Sequence, residues 1–155
     1  MRRKDREVKE INELLQIIEE CKVLRIALKD DNGLYIVPLN YGYSYENNQL
    51  TLFFHSAKEG RKINALKINN DIAFEMDCNH VLMEGNVACD YGFKFKSIIG
   101  NGKSIEIENN EEKKNALSIL MKHQTGKEFI FDDNMIRNIS VFKIIVYNFS
   151  GKSCK

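Results

Sequence analysis

The chain has 155 residues, 43% of them hydrophobic and 29% charged, with a formal net charge of +1. A chain of this length is expected to fold as a single domain, residues 1–155, around one core, and a charge this near zero argues against a nucleic-acid partner. No segment approaches the ~20 apolar residues of a membrane span, and the basic start MRRKDR runs into Glu10, Glu13, Glu19 and Glu20 instead of a secretory apolar run.

Asp5 can cap a first helix whose Val8, Ile11, Leu15 and Ile18 share one face. The chain then turns β-rich. Residues 23–28 form a short apolar strand, and Asp30-Asp31-Asn32-Gly33 is a hairpin turn leading into a strand at 34–40, continued or bulged through 41–45. A second hairpin turn, Glu46-Asn47-Asn48-Gln49, leads into a strand at 50–55. A short helix is predicted over 62–68 and a strand over 71–77, with Ile72, Phe74 and Met76 on one side. Further strands are expected at 80–85 and at 97–107, the latter interrupted by Gly100-Asn101-Gly102. Residues 111–123 read as an amphipathic helix with Ala116, Leu117, Leu120 and Met121 in one stripe. A short helix near 133–138 precedes a last strand at 140–149. Short strands joined by tight turns, with helices at the margins, predict a mostly β fold with flanking helices, a small closed barrel.

Three features carry chemistry. The first is a basic turn at the point where a helix opens: His55, Ser56, Lys58, Gly60, Arg61 and Lys62 fall within eight residues. Free N–H groups and the partial positive charge of a helix N-terminus favour phosphate, and cations there oppose the dipole unless an anion sits between. A phosphomonoester site and a solvated helix start both remain open at this point. The second is Pro38 inside the apolar strand Tyr35-Ile36-Val37-Pro38-Leu39-Asn40, which marks an edge or a bulge and reads first as an edge that proline protects. The third is His55, whose imidazole should stay neutral beside three cations. Cys78, His80 and Cys89 match no common zinc spacing, so no metal site is expected. The four cysteines include no C-x-x-C pair and are too few for a disulfide scaffold, which predicts reduced thiols and a cytoplasmic protein.

The order and spacing of several segments add to this reading: Met1-Arg2-Arg3, YIVPLNYGY at 35–43, LTLFFHSAKEGRKI at 50–63, AFEMD at 73–77, ACDYGFKFKSIIGNGK at 88–103, MKHQTGKEF at 121–129 and VFKIIVYNFSGK at 141–152. With them the chain resembles the flavin-binding split-barrel family of pyridoxamine 5′-phosphate oxidase-like proteins, and within it the nitroimidazole-resistance branch. The resemblance implies a split β-barrel that binds FMN as a homodimer, with flavin at the subunit interface and a small-molecule acceptor. It implies that Val37, Pro38, Leu39 and Asn40 run along the flavin ring, and that His55, Ser56, Ala57, Lys58, Arg61 and Lys62 hold the phosphate. Ser97, Ile98 and Ile99 would close the site from the other subunit. It further implies a substrate-side, catalytic role for His55 in reduction of a nitro group. The chain departs from the true oxidases in lacking their C-terminal Arg-x-His motif, so oxidation of pyridoxamine phosphate is not expected. No G-x-G-x-x-G fingerprint is present for a resident dinucleotide. Two classes of function follow, an FMN-dependent reductase or a flavin-binding carrier, sensor or electron-transfer protein without specific turnover; a remoter third is a split barrel that binds haem or another cofactor, with His55 and His80 as the residues to test. Phe93, Phe95 and residues 124–133 are candidate walls of the acceptor pocket.

Overall fold

The computed structural model describes residues 3–154; Met1 and Arg2, which open the resemblance, and Lys155 lie outside the described residues. A 3₁₀ turn at Lys4–Arg6 leads into β1 (Glu7–Val8), and α1 (Ile11–Glu20) follows. The helix expected to be capped by Asp5 therefore starts five residues later, after Glu10. Asp5 is held by Arg3 at 2.6 Å, and Val8 is drawn instead into a strand pair with Gly151 of the last strand. Burial of Leu14, Ile17 and Ile18 fixes α1 against the sheet.

Next come β2 (Leu24–Asp30), β3 (Gly33–Leu39), β4 (Gly42–Glu46), β5 (Gln49–Ala57), α2 (Arg61–Ile68), β6 (Asp71–Met83) and β7 (Gly92–Glu106). The chain ends with α3 (Asn110–Thr125), α4 (Asp133–Ile136) and β8 (Ile139–Cys154). Both expected hairpin turns form. Asn47 and Asn48 both take positive φ, 51° and 62°, the left-handed pair that a two-residue hairpin needs. In the earlier turn the Asn32 N–H donates to the Asp30 Oδ1 at 2.9 Å. The strand expected at 80–85 is not separate: β6 runs on through it past an irregularity between Cys78 and Val81, where Asn79 has φ 58°.

Nor does the Gly100-Asn101-Gly102 segment interrupt β7. A Cβ on Gly100 would stand 2.5 Å from the Phe74 ring and one on Gly102 2.5 Å from the Ile145 carbonyl, so these glycines allow close packing inside a continuous strand. The register against β8 slips by one residue there. In α3, Asn109 caps by accepting the Glu112 N–H, and Gly126 closes the helix at φ 73°. Its buried stripe is Ala116, Leu117, Leu120 and His123, with Met121 only half-buried.

The strands form one antiparallel sheet in the order β3-β2-β6-β7-β8-β5-β4, with β1 on β8. β3 and β4 end the sheet without pairing to each other, so the barrel is split, not closed as periodicity alone suggested. Leu24, Ile26, Phe54, Phe74, Met76, Ile98 and Ile144 fill its interior. A second, smaller core lies outside β5 and β8, where Phe53 and Val141 meet Ala116, Leu117 and Ile136 of the two late helices. Among the described residues no helix is long and apolar enough to cross a membrane.

Candidate functional site

The basic turn joins the end of β5 to the head of α2. Gly60 precedes the helix at φ 122°, a conformation that L side chains rarely adopt, and no side chain caps the helix. The first turn holds no acidic residue, while the Asn64 N–H bonds the Gly60 carbonyl at 3.1 Å. The N–H groups ahead of Asn64 thus face outward at the positive end of the helix dipole.

Three cations stand at this end and behave differently. Arg61 is already engaged: Nε and Nη2 donate to the two Asp30 oxygens at 2.7 and 3.0 Å, and the guanidinium lies over the Tyr35 ring, 4.4 Å from its centroid. Asp30 holds the guanidinium more firmly protonated, and Arg61 in turn holds the Asp30 carboxyl below its ordinary range. The fork expected to grip phosphate therefore ties α2 to the β2–β3 hairpin, and leaves Nη1 as its uncommitted nitrogen. Lys62 is half-buried, 5.9 Å from the Phe54 centroid, and burial lowers its ammonium below the usual range. Among the described residues neither Lys62 nor Lys58 is in an ion pair, and Lys58 is exposed.

His55 and Ser56 point to opposite sides of β5. Ser56 is buried on the inner side, whereas His55 and Ala57 reach solvent on the outer. Partial desolvation of the His55 ring, and secondarily the Lys62 ammonium, hold the imidazole below its ordinary range. It is thus neutral near pH 7, able to accept or to donate a proton.

The strand 35–40 divides in the same way. Val37 and Leu39 turn inward and pack against the core, so only their backbone is available to a ligand. Pro38 faces out on β3, which is a sheet end as its proline suggested. The Asn40 amide is committed elsewhere, donating to the Lys22 carbonyl at 3.3 Å and to Gln124 Oε1 at 3.0 Å. Gln124, expected in a pocket wall, donates to the Tyr41 carbonyl at 2.8 Å and so pins the β3–β4 junction to α3.

Ser97, Ile98 and Ile99 lie on β7, separated from β3 by β2 and β6. Ile98 is fully buried, so strand alternation turns its side chain into the core, away from any ligand outside. Ile99 faces out and is 53% exposed. Pro38, Arg25, Glu75 and Ile99 form one row across the outer face of the sheet. Asp30 and Tyr35, which anchor Arg61, were legible only as a turn residue and a strand residue. Among the described residues no cluster of three or more His, Cys, Asp or Glu is arranged to hold a metal; His80 Nε2 lies 2.9 Å from Asp77 Oδ2.

Residues 10–153 match the family model described as pyridoxamine 5′-phosphate oxidase. The chain belongs to this family. Within the family, it is 34% identical to a candidate 5-nitroimidazole antibiotic resistance protein from Bacteroides thetaiotaomicron VPI-5482. That alignment covers 94% of this chain and 85% of the other, with a TM-score of 0.80. The FAD and heme binding protein of Mycobacterium smegmatis shares the fold at 14% identity and TM-score 0.82, over 97% of this chain and 74% of its own. The flavocytochrome Anf3 of Azotobacter vinelandii does so at 14% identity and TM-score 0.80, over 100% of this chain and 72% of its own. No curated protein matches the sequence. The family's split barrel is the architecture that the resemblance led us to expect.

Proposed function

We propose that the chain binds FMN as a homodimer and acts as an oxidoreductase that reduces a small acceptor such as a nitroaromatic. The observation that carries this reading is the head of α2. An uncapped helix N-terminus opened by Gly60 stands beside Lys62, a half-buried cation without a carboxylate partner. That donor set fits a phosphate, which would accept the first-turn N–H groups and neutralise a charge that burial disfavours. Arg61 Nη1 is the next donor on the same turn, whereas the buried Ser56 hydroxyl points to the inner side of β5. The similarity to the nitroimidazole-resistance protein supports the acceptor class.

A bound flavin supplies the electron or hydride transfer, and the residues here bind, orient and protonate. The backbone of Val37, Pro38 and Leu39, on the open edge of β3, would lie along the ring. Neutral His55 would hold a proton beside the acceptor. Ile36, 66% exposed beside Ala27 and Ala73, makes an apolar patch next to the row from Pro38 to Ile99, whose middle members Arg25 and Glu75 are ion-paired at 3.0 Å, and together they form an outer face suited to a second copy. On that face a partner's Ser97 and Ile99 would close the site. β8 carries no Arg-x-His motif for the phosphate of pyridoxamine phosphate, so that oxidation is not part of this reading.

Anaerobic turnover of the FMN-loaded protein with NADH, NADPH or dithionite and a nitroimidazole tests the reading. Reductant-dependent loss of the nitro chromophore, slowed by His55→Ala, is the expected result. A protein that binds FMN but reduces no acceptor with any of the three donors would leave the carrier or electron-transfer role instead.

A further inference from the structure

Along α2 toward its C-terminal end, a cavity of 260 Å³ opens between that helix, the end of β7 and the start of β8. Ile63, Leu66 and Phe142 form its apolar walls. Ser104 lies against them, 4% exposed, and its Oγ has no hydrogen-bond partner, although its backbone N–H is paired with the Asn70 carbonyl at 2.8 Å. An orphaned buried hydroxyl carries an uncompensated desolvation cost, which a ligand that pairs with it would recover.

The charge at the mouth of the cavity is negative. Strand alternation puts Glu106 on the same side of β7 as Ser104, and Glu108 follows with the same parity just beyond the strand. Among the described residues neither carboxylate is in an ion pair. The C-terminal end of α2, with its outward carbonyls, adds partial negative charge at the same place. Among the described residues, Lys67 is the one cation lining the cavity.

We propose that this cavity binds a short linear diammonium ion. One ammonium donates to Ser104 Oγ and Glu106, the other to Glu108, and the alkyl chain lies along Leu66 and Phe142. Two residues of extended chain set the Glu106 and Glu108 Cα atoms roughly 6–7 Å apart, a spacing that a four-carbon diammonium can bridge between the two side chains. This site is independent of the flavin reading.

Titration of the full-length protein with 1,4-diaminobutane, with and without FMN, followed by amide NMR shifts at matched ionic strength, tests it. The expected result is saturable shifts confined to Asn70, residues 104–108 and the end of α2. Ser104→Ala and Glu106→Gln should each weaken binding about tenfold, the loss of one hydrogen bond to a charged group. Lys67→Met should strengthen it by removing the opposing charge. No saturation by about 20 mM, a concentration beyond millimolar affinity, would overturn the proposal. So would an affinity untouched by both Ser104→Ala and Glu106→Gln, or one abolished by Lys67→Met, which marks an anion site. Should a variant not fold, the location of the shifts in the unsubstituted protein still decides.

Discussion

Lys62 and Arg61 are neighbours in sequence with different physical roles. Lys62 has only a prospective anion to pair with, so Lys62→Ala should weaken FMN binding by about 1.5–3 kcal/mol, the range of a hydrogen bond to a charged group. Arg61→Ala should weaken it too, mainly because Asp30, its side chain only 9% exposed, is left as an uncompensated carboxylate beside the phosphate. Adding Asp30→Asn to that variant should therefore restore part of the lost affinity, a coupling that flavin fluorescence titration of the four proteins would read. Equal affinity of the single and double variants would remove Asp30 from the account.

His55 gives a pH dependence. Its folded-state pKa lies below its unfolded value, so in the window between them the unfolded chain binds more protons, and the stability of the flavin-free protein should rise with pH there. Below that window the full cost of a charged His55 is present. Urea melts across pH 5 to 7 should show this slope, and His55→Gln should flatten it. Phosphate placed beside Lys62 should raise the His55 pKa toward its ordinary value, visible in NMR titration of the ring. The basic turn was legible as a cluster of cations at a helix start because several donors coincide in eight residues. The engagement of Arg61 was not, because its partner Asp30 lies 31 positions away and reads locally as a turn residue.

At the scale of elements, the sequence showed most clearly what local chemistry decides. Asn47-Asn48 and the Asp30–Gly33 turn both act where they were read. Misreadings came where tertiary contact overrides local signal. Val8 fitted a helix face but pairs with Gly151, and Gly100 and Gly102 looked like a break but make room for Phe74 and the β8 backbone. The seam between β4 and α3 is another such contact: a Cβ on Gly42 would stand 2.5 Å from the Leu120 Cα. Gly42→Ala should destabilise the fold by about 1–3 kcal/mol through overpacking against backbone. For a chain of this length that lowers the melting temperature by roughly 2–10 °C. An unchanged melting temperature would show that α3 yields there without cost.

At the scale of the whole molecule, strand alternation separates the expected flavin residues into those that face a ligand and those that serve the core. Pro38, His55, Lys62 and Ile99 are on the accessible side, while Val37, Leu39, Ile98 and Ser56 point inward. Sequence similarity assigns whole segments to a site; only the fold separates their side chains. Because Pro38 and Ile99 share the outer face with exposed Ile36, dimerisation and flavin binding should fail together. Ile36→Glu, exposed in the single chain and so compatible with folding, should give a monomer by light scattering at micromolar concentration and lower FMN affinity at least about tenfold. A dimer of unchanged affinity would place the interface elsewhere.

The most direct test of the central claim is an absorbance titration of the purified protein with FMN, run in parallel for the unsubstituted chain and for Lys62→Ala. The account predicts saturable perturbation of the flavin bands at one FMN per chain, bleaching under anaerobic dithionite, and an affinity lower in the variant by about tenfold or more. A protein that leaves the FMN spectrum unchanged, or binds FMN equally well without Lys62, would contradict it.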